Sequence, residues 1–375
     1  PEIGKVVSVG FTMYEYEGFL IKETKNFYME TVNIYTTPGM AIRSESSENL
    51  YFNRTNLMLK PGSKRLMTAT ADGLHAADTV GDIIVSNSIF EYSHDDSINI
   101  KTFYFKVDSV LRNKVTLNMT TTEVRIPINV GDQLEFFEDN TFSSKAIRTV
   151  TAVEAYGTTY EITLNENLST GLVNQGDLVG NISRVPKVSI ENSIFRNKRN
   201  RGILVQVRDS RIINSAFYNI IHGPIMVHAA FDVFAEAIVP QNITIQNCKF
   251  INNNQASGLN GDISVFRYGG EIVSNTIKQI TISNNYFYHS AYRAIYLLGT
   301  GDVTITNNLF QDVAINVSGD SGKNNAIYIK TCIDTTITDN LIYMTNDKAY
   351  FMFLYATDDV NTITSNNLNR NKENE

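Results

Sequence analysis

Two short motifs in the N-terminal third of the chain place aspartates at a repeated spacing. Residues 72–75 are Asp-Gly-Leu-His and residues 96–99 are Asp-Ser-Ile-Asn, so the same pattern returns after 24 residues, and Asp95 directly precedes the second copy. In a chain that coils with a similar period, Asp72, Asp95 and Asp96 would lie on adjacent coils, about 4.8 Å apart. Carboxylates this close repel one another, so such a cluster usually performs chemistry or binds a metal.

A repeated phrase predicts the elements that would position these aspartates. A turn residue is followed by alternating β-branched residues, an Asn, and an aromatic or aliphatic pair. Successive copies end at Phe195, Phe217, Phe250, Phe287, Phe310 and Ile342, at intervals of 22 to 37 residues. The alternation is typical of strands with one buried face, and Asn suits the corner that follows each strand. A fixed phrase with loops of variable length predicts a solenoid, here a parallel β-helix.

One segment interrupts the repeat. Residues 133–137 and 160–164 alternate apolar and polar side chains without the Asn-aromatic phrase, and Gly131-Asp132 and Gly176-Asp177 precede apolar strands, as turns between antiparallel strands do. A segment of about 80 residues is long enough for a small barrel or sandwich. We therefore predict an all-β chain with solenoid coils over residues 1–103 and 185–375 and an inserted antiparallel subdomain over residues 104–184.

The same phrase predicts the core. One aliphatic residue of each copy should face inward and stack on the next coil: Ile190, Ile245, Ile282, Ile305 and Ile337. The two cysteines, Cys248 and Cys332, are expected to be interior thiols rather than a disulfide.

Composition narrows the classes of partner. The net charge of −7 argues against nucleic acid as the main partner, and no stretch is apolar enough to span a bilayer. The chain begins at Pro1 without a signal-like segment, and its first residues resemble the middle of a solenoid. We therefore expect processing or further N-terminal coils, and a secreted or periplasmic protein. The sequence leaves open whether the protein forms a homo-oligomer.

Aligning the coils at the strand that follows the aspartates brings further polar residues to the same wall. The aligned segments are residues 39–42, 71–74, 95–98, 200–203 and 222–225. This register places Arg201 one coil from Asp96 and His222 two coils from Asp95. His75 and Asn99 would either orient the carboxylates or bond between coils. Because the acidic residues lack the short alternation of a calcium loop, we expect no metal, and we expect no cofactor.

The residues around these motifs resemble glycoside hydrolase family 110. The resemblance is carried by Gly39-Met40, residues 47–50, both aspartate motifs and residues 199–204, and it extends to about Phe250. It implies a right-handed parallel β-helix and an inverting exo-α-1,3-galactosidase acting on blood-group-B or linear B glycans. It also implies that Asp72, Asp95 and Asp96 are catalytic.

The same resemblance singles out Glu236. A Trp-Tyr-Glu-Ser-Gly-like stretch of the family corresponds to residues 234–237, Phe-Ala-Glu-Ala, where only Glu236 matches, and the chain contains no Trp. The wall on which a sugar would stack is therefore altered. We expect Glu236, together with His75, Asn99, Arg201 and His222, to contact the substrate.

Three functions remain open from the sequence. The first is an α-galactosidase that acts on an oligosaccharide or glycoconjugate, with Asp96 as base beside Arg201 and Asp72 or Asp95 as acid. The second is another β-helix polysaccharide hydrolase, such as a polygalacturonase-like enzyme. The third is a non-catalytic glycan-binding β-helix, such as a phage tail or adhesin module.

Overall fold

The computed structural model describes residues 13–122, 124–230, 235–256, 261–316, 324–345, 349–354 and 363–371. Apart from one 3-10 turn at Ile182–Arg184, every regular element in these ranges is a strand. None of the described residues forms a helix that is long and apolar enough to cross a membrane.

The first coils precede the interruption of the repeat. Their strands are β1 (Phe19–Lys22), β2 (Lys25–Ile34), β3 (Ile42–Glu45), β4 (Glu48–Leu57), β5 (Leu74–Ala77), β6 (Val80–Ser86), β7 (Ile89–Glu91) and β8 (Ile98–Phe103). Each coil contributes one strand to a first sheet and one or two strands to a second sheet.

A closed antiparallel barrel follows. It comprises β9 (Phe105–Leu111), β10 (Lys114–Met119), β11 (Gln133–Phe137), β12 (Ser144–Tyr156), β13 (Thr159–Leu164) and β14 (Leu178–Asn181). The strands close in the order β10-β13-β12-β11-β14-β9 around a separate apolar core that includes Phe105, Phe136 and Tyr160. An ion pair between a partly buried arginine and a buried glutamate joins the barrel to the solenoid, since Arg208 Nη2 lies 2.6 Å from Glu135 Oε2.

The remaining strands continue the solenoid. They are β15 (Lys187–Glu191), β16 (Ile194–Lys198), β17 (Ile203–Val205), β18 (Ser210–Ile213), β19 (Ala216–Ile220), β20 (Ile225–Ala230), β21 (Glu236–Ala237), β22 (Gln241–Gln246), β23 (Lys249–Ile251), β24 (Ile263–Tyr268), β25 (Ile277–Ser283), β26 (Tyr286–Tyr288), β27 (Ile295–Leu298), β28 (Thr300–Thr306), β29 (Leu309–Gln311), β30 (Asn325–Lys330), β31 (Ile333–Thr338), β32 (Leu341–Met344), β33 (Tyr350–Leu354), β34 (Ile363–Ser365) and β35 (Leu368–Asn371).

Two long parallel sheets form the solenoid. One of them, here called sheet A, contains the strands that follow the aspartate motifs. Its strands run in the order β1-β3-β5-β8-β17-β20-β24-β27-β30-β33. Strand β8 pairs directly with β17 although the barrel separates them in the chain, and Ile98 lies opposite Ile203. The barrel therefore interrupts the sequence without interrupting the stack. The predicted parallel β-helix is confirmed.

The interior is a set of stacked ladders. The five predicted isoleucines, Ile190, Ile245, Ile282, Ile305 and Ile337, are all fully buried. Beside them, the rings of Phe90, Phe195, Phe217, Phe250, Phe287 and Phe310 stack in sequence with centroids 4.7 to 5.5 Å apart. Neighbouring coils thus bury identical side chains against each other, and the predicted core is confirmed. Cys248 and Cys332 are buried and do not form a disulfide, also as predicted.

Asparagines occupy the corners. Asn247 and Asn284 adopt positive φ angles of 55° and 56°, a conformation that Asn tolerates better than most residues. A second set of asparagines lies one residue after such corner positions. Asn285 Nδ2 donates to Asn308 Oδ1, and Asn308 Nδ2 donates to Asn340 Oδ1, both at 3.0 Å. These bonds satisfy buried amides and link successive coils, and the asparagines occupy the corners as predicted.

Truncation of one interior isoleucine should measure the strength of this packing. We expect Ile245→Ala to lower the free energy of unfolding by about 2–5 kcal/mol, because a fully buried side chain would leave a cavity between two coils. Urea unfolding followed by circular dichroism measures the change. Ile147, which is 46% exposed on the barrel, provides the control, and Ile147→Ala should change the free energy by well under that amount. Equal losses in both variants would contradict the stacked core.

Candidate active site

A cleft on the outer face of sheet A contains the three aspartates. Its volume is about 640 Å³. Three adjacent strands position its polar wall, because Leu74 of β5 lies opposite Ile98 of β8, which lies opposite Ile203 of β17. The residue two positions before each of these aliphatics therefore belongs to one column, which contains Asp72, Asp96 and Arg201. The predicted register is confirmed.

The three carboxylates form one cluster. One oxygen of each of Asp72, Asp95 and Asp96 lies within 4.8 Å of the others. Asp72 and Asp96 are buried, whereas Asp95 is half-buried. The backbone N–H of Asp96 donates to Asp72 Oδ1 at 3.0 Å and to Asp95 Oδ1 at 3.1 Å, which ties the cluster to a single backbone group.

Arg201 forms a two-pronged ion pair with Asp96. Its Nε and Nη2 atoms lie 2.7 Å and 2.9 Å from the two carboxylate oxygens. Burial raises the pKa of Asp96 to about 7, Arg201 opposes that rise, and the negative charges of Asp72 and Asp95 add to it. The result is a carboxylate whose charge is stabilised by a fixed partner but whose basicity is well above that of an ordinary aspartate.

A buried lysine lies behind the cluster and was not predicted from the sequence. Lys198 is buried, and its Nζ donates to Ser93 Oγ and to the backbone carbonyl of Asp95, both at 2.6 Å. Burial lowers the pKa of Lys198 to about 7, while the charges of the aspartates oppose that change. The sequence indicates the burial of Lys198 only through its position in the repeat, where it aligns with the interior residue Ile220 of the next coil.

His75 and Asn99 occupy opposing positions on β5 and β8. His75 Nδ1 lies 2.7 Å from Asp72 Oδ2, so this imidazole orients a carboxylate, one of the two roles expected for it. Asn99 also lines the cleft, and its Oδ1 has no hydrogen-bond partner within the described part of the chain. Its amide oxygen is therefore available to a ligand.

Tyr14 approaches the cluster from the N-terminal side. Its hydroxyl donates to Asp95 Oδ2, and Asn200 Nδ2 donates to Asp95 Oδ1. Burial and the neighbouring Asp95 raise the pKa of Tyr14 above its usual value, so the hydroxyl remains a donor. Asp95 thus accepts bonds from two side chains, and its position at the edge of the cluster keeps it the most accessible of the three.

Glu236 lies in the same cleft on a separate element. Strand β21 pairs antiparallel with β8, with Glu236 opposite Phe103. Its Oε1 lies 2.7 Å from Lys101 Nζ, and both residues are buried. Burial alone would raise the pKa of Glu236, but Lys101 lowers it below the usual value, so the carboxylate is ionised at neutral pH. Phe234, aligned above with the family stretch, lies outside the described residues.

His222 does not join the other predicted residues. It is exposed and does not line the cleft, whereas His228 on β20 does. His228 is buried, burial lowers its pKa to about 4, and neither ring nitrogen has a partner among the described residues. Lys101 and His228 could have been predicted from the sequence, because they follow Asn99 and Met226 by two residues in the same strands and therefore point to the same face.

Comparison with known proteins supports the same architecture. The family model described as the right handed beta helix region matches residues 128–310 and 178–374, more than half of the chain. The chain belongs to this right-handed β-helix family.

Curated relatives of this β-helix protein share a name. Alpha-1,3-galactosidase A of Akkermansia muciniphila is 27% identical over 298 residues, which cover 78% of this chain and 49% of that protein. Alpha-1,3-galactosidase A of Bacteroides thetaiotaomicron is 27% identical over 343 residues, which cover 88% and 58%. Alpha-1,3-galactosidase B of Akkermansia muciniphila is 24% identical over 338 residues, which cover 87% and 42%. The chain spans about half the length of these relatives, and they confirm the resemblance to glycoside hydrolase family 110.

The arrangement in this β-helix protein is suited to acid and base chemistry. Carboxylates packed this closely cannot all be ionised at low cost, so the cluster can hold a proton and a negative charge side by side. Three carboxylates could also bind a divalent ion. In that case the ion would share the carboxylate of Asp96 with the guanidinium of Arg201, which already donates to both of its oxygens.

Proposed function

We propose that this β-helix protein is an exo-acting glycoside hydrolase that removes terminal α-1,3-linked galactose from glycans of blood-group-B or linear B type. The observation that carries the proposal is the cluster of Asp72, Asp95 and Asp96 around Arg201, in one cleft of a chain whose curated relatives are α-1,3-galactosidases. The substrate is an oligosaccharide or glycoconjugate. Because such glycans lie outside the cytoplasm, we also propose a secreted or periplasmic location.

The proposed reaction proceeds with inversion. One carboxylic acid protonates the leaving glycosidic oxygen while one carboxylate activates water on the opposite face of the sugar. We assign the base to Asp96, because Arg201 stabilises its charge and burial raises its pKa to about 7, near the value that suits a general base. We assign the acid to Asp95, the most accessible member, with Asp72 as the alternative.

The opposite end of the cleft offers groups for the sugar hydroxyls. Lys101 supplies donors, Glu236 supplies acceptors, and the neutral ring of His228 can do either. These charges and dipoles are buried and fixed before a ligand arrives, so they favour a polar sugar over an apolar group. The chain has no Trp, and we propose that these hydroxyl contacts take the place of a tryptophan stacking wall.

Hydrolysis of chromogenic α-galactosides and of polygalacturonate tests the activity. We expect turnover of an α-galactoside, unchanged by a metal chelator, and none of polygalacturonate. The reverse preference would favour the polygalacturonase-like alternative, and binding without turnover would favour the glycan-binding module. Proton NMR of the first sugar released tests the stereochemistry: inversion releases β-galactose first, and initial α-galactose would contradict it.

The pH profile should report on Asp96. Because the base must be ionised and burial raises its pKa to about 7, we expect kcat/KM for an aryl α-galactoside to fall about tenfold per pH unit as the pH drops below about 7. Replacing Asp95 by Asn removes a neighbouring negative charge that contributes to the raised pKa. In Asp95→Asn, the fall of the residual activity on the acidic side of the profile should therefore shift to a lower pH. An unmoved limb would mean that another group titrates.

A further inference from the structure

A second cavity adjoins the catalytic cleft. Its volume is about 670 Å³. Two chain segments run between the cavities. In the first, residues 93–94 line the second cavity and residues 95–96 line the cleft. In the second, residues 198–199 line the second cavity and Arg201 lines the cleft. These two segments form a common wall, here called the aspartate ridge. Asp95 therefore stands at the border between the two spaces.

Fixed contacts hold the ridge in place. Lys198 faces the second cavity, and its Nζ donates to the backbone carbonyl of Asp95 at 2.6 Å. Asn200 donates to the carboxylate of the same residue. On the far side, Arg199 Nη1 lies 2.9 Å from His94 Nε2. A molecule that crosses the ridge would contact Asp95 and have polar groups on both sides.

The floor of the second cavity is a corner of the solenoid. Five residues that line it follow paired strand positions on successive coils and have φ angles between 53° and 58°: Tyr92, Asn197, Asn219, Asn252 and His289. At each of these positions the left-handed conformation changes the direction of the chain, and the side chain lines the second cavity. Asn219 Nδ2 donates to Asn197 Oδ1 at 3.0 Å, so the amides of two successive coils are linked. Each amide carries both donors and acceptors, the combination that matches sugar hydroxyls.

Apolar side chains border this polar floor. Leu66 and Ile221 line the second cavity and are 49% and 38% exposed. Small-ligand sites combine such apolar surface with a few convergent polar groups. A pyranose presents hydroxyls at its rim and C–H groups on its faces, so it can satisfy both kinds of surface. No carboxylate is among the residues that line this cavity in the described part of the chain.

We propose that the second cavity binds the sugars on the leaving-group side of the scissile bond. The terminal galactose occupies the cleft, bounded by Glu236 of β21, and the glycosidic oxygen lies over the aspartate ridge beside Asp95. This inference rests on the proposed galactosidase function and deepens it. It identifies the substrate as an oligosaccharide of at least three sugars, because two sugars alone would leave most of the second cavity empty.

Two corner variants test the assignment. Asn219→Gly and Asn252→Gly remove an amide while keeping a residue that adopts positive φ without strain. We compare kcat/KM for para-nitrophenyl α-galactoside with that for a galactose-terminated tetrasaccharide. The double variant should lose about tenfold on the tetrasaccharide, equivalent to a few lost hydrogen bonds, and change less than about twofold on the aryl galactoside.

A matched variant controls for the substitution itself. Asn242 also has a positive φ, of 55°, but it lies on another corner and lines neither cavity. Asn242→Gly should leave both substrates unchanged. Equal losses on both substrates in the double variant, or full tetrasaccharide activity, would overturn the assignment of the second cavity. Failure of the wild-type protein to hydrolyse either galactoside would instead overturn the proposed function.

Discussion

Asp95→Asn should lower kcat/KM for a galactose-terminated oligosaccharide by about 10²–10⁴-fold, the usual contribution of a general acid. Asn has nearly the same shape as Asp and can still bond to Asn200, but it cannot deliver a proton to the leaving oxygen. The loss should be smaller with an aryl galactoside, because nitrophenolate leaves without protonation. Initial rates on the two substrates measure the difference.

Binding measurements separate this loss from misfolding. Isothermal titration of Asp95→Asn with the same oligosaccharide should show retained affinity, because the groups that we propose to bind the sugar hydroxyls, Lys101, Glu236 and His228, are unchanged. Asp302→Asn provides a control, since Asp302 is exposed, outside the cleft, and already in the left-handed conformation that Asn accepts. Unchanged turnover in Asp95→Asn would remove Asp95 from the mechanism. Equal losses in both variants would point to a general effect of the substitution.

Arg201→Met should destabilise the protein by about 3–5 kcal/mol at pH 8, because it removes the partner of a buried carboxylate. Asp96 is 1% exposed at its side chain, and Arg201 donates to both of its oxygens. Without the guanidinium, the pKa of Asp96 should rise further, since the lowering effect of Arg201 is lost. The variant should therefore lose much less stability at pH 5, where Asp96 can be neutral. Urea unfolding at the two pH values measures both losses.

The sign of this pH effect follows from linkage. A carboxyl group whose pKa is raised in the folded protein contributes stability below its unfolded pKa and loses it as the pH rises through the folded value. Arg148→Met is the matched control, because Arg148 pairs with Glu166, whose side chain is 66% exposed and stays solvated without its partner. It should cost no more than about 1 kcal/mol at either pH. A loss in Arg201→Met that is the same at pH 5 and pH 8 would contradict a buried charge as its cause.

The solenoid and the column of Asp72, Asp96 and Arg201 could both be predicted from the amino-acid sequence. Alternation within a strand is a local property, and each coil carries its own copy of the phrase, so the copies can be aligned without a structure. The register that places Asp72, Asp96 and Arg201 in line follows from that alignment and agrees with the observed pairing of Leu74, Ile98 and Ile203. The insertion did not disturb it, because β8 and β17 pair directly across the barrel.

The rest of the site depends on contacts between residues that are distant in the sequence. Glu236 reaches the cleft because β21 folds back antiparallel onto β8, a contact that no repeat encodes. Lys198 belongs to the second sheet and reaches Asp95 only where the coil turns between sheets. His222 is a residue for which the alignment of the coils was misleading. It was aligned with Asp95 but lies exposed, outside the cleft. The two-residue alternation sets side-chain direction only in extended strands, and this position precedes β20 in a turn where Gly223 has a φ of +127°. Turn geometry depends on what packs around it, so side chains at the coil corners take their direction from the whole fold.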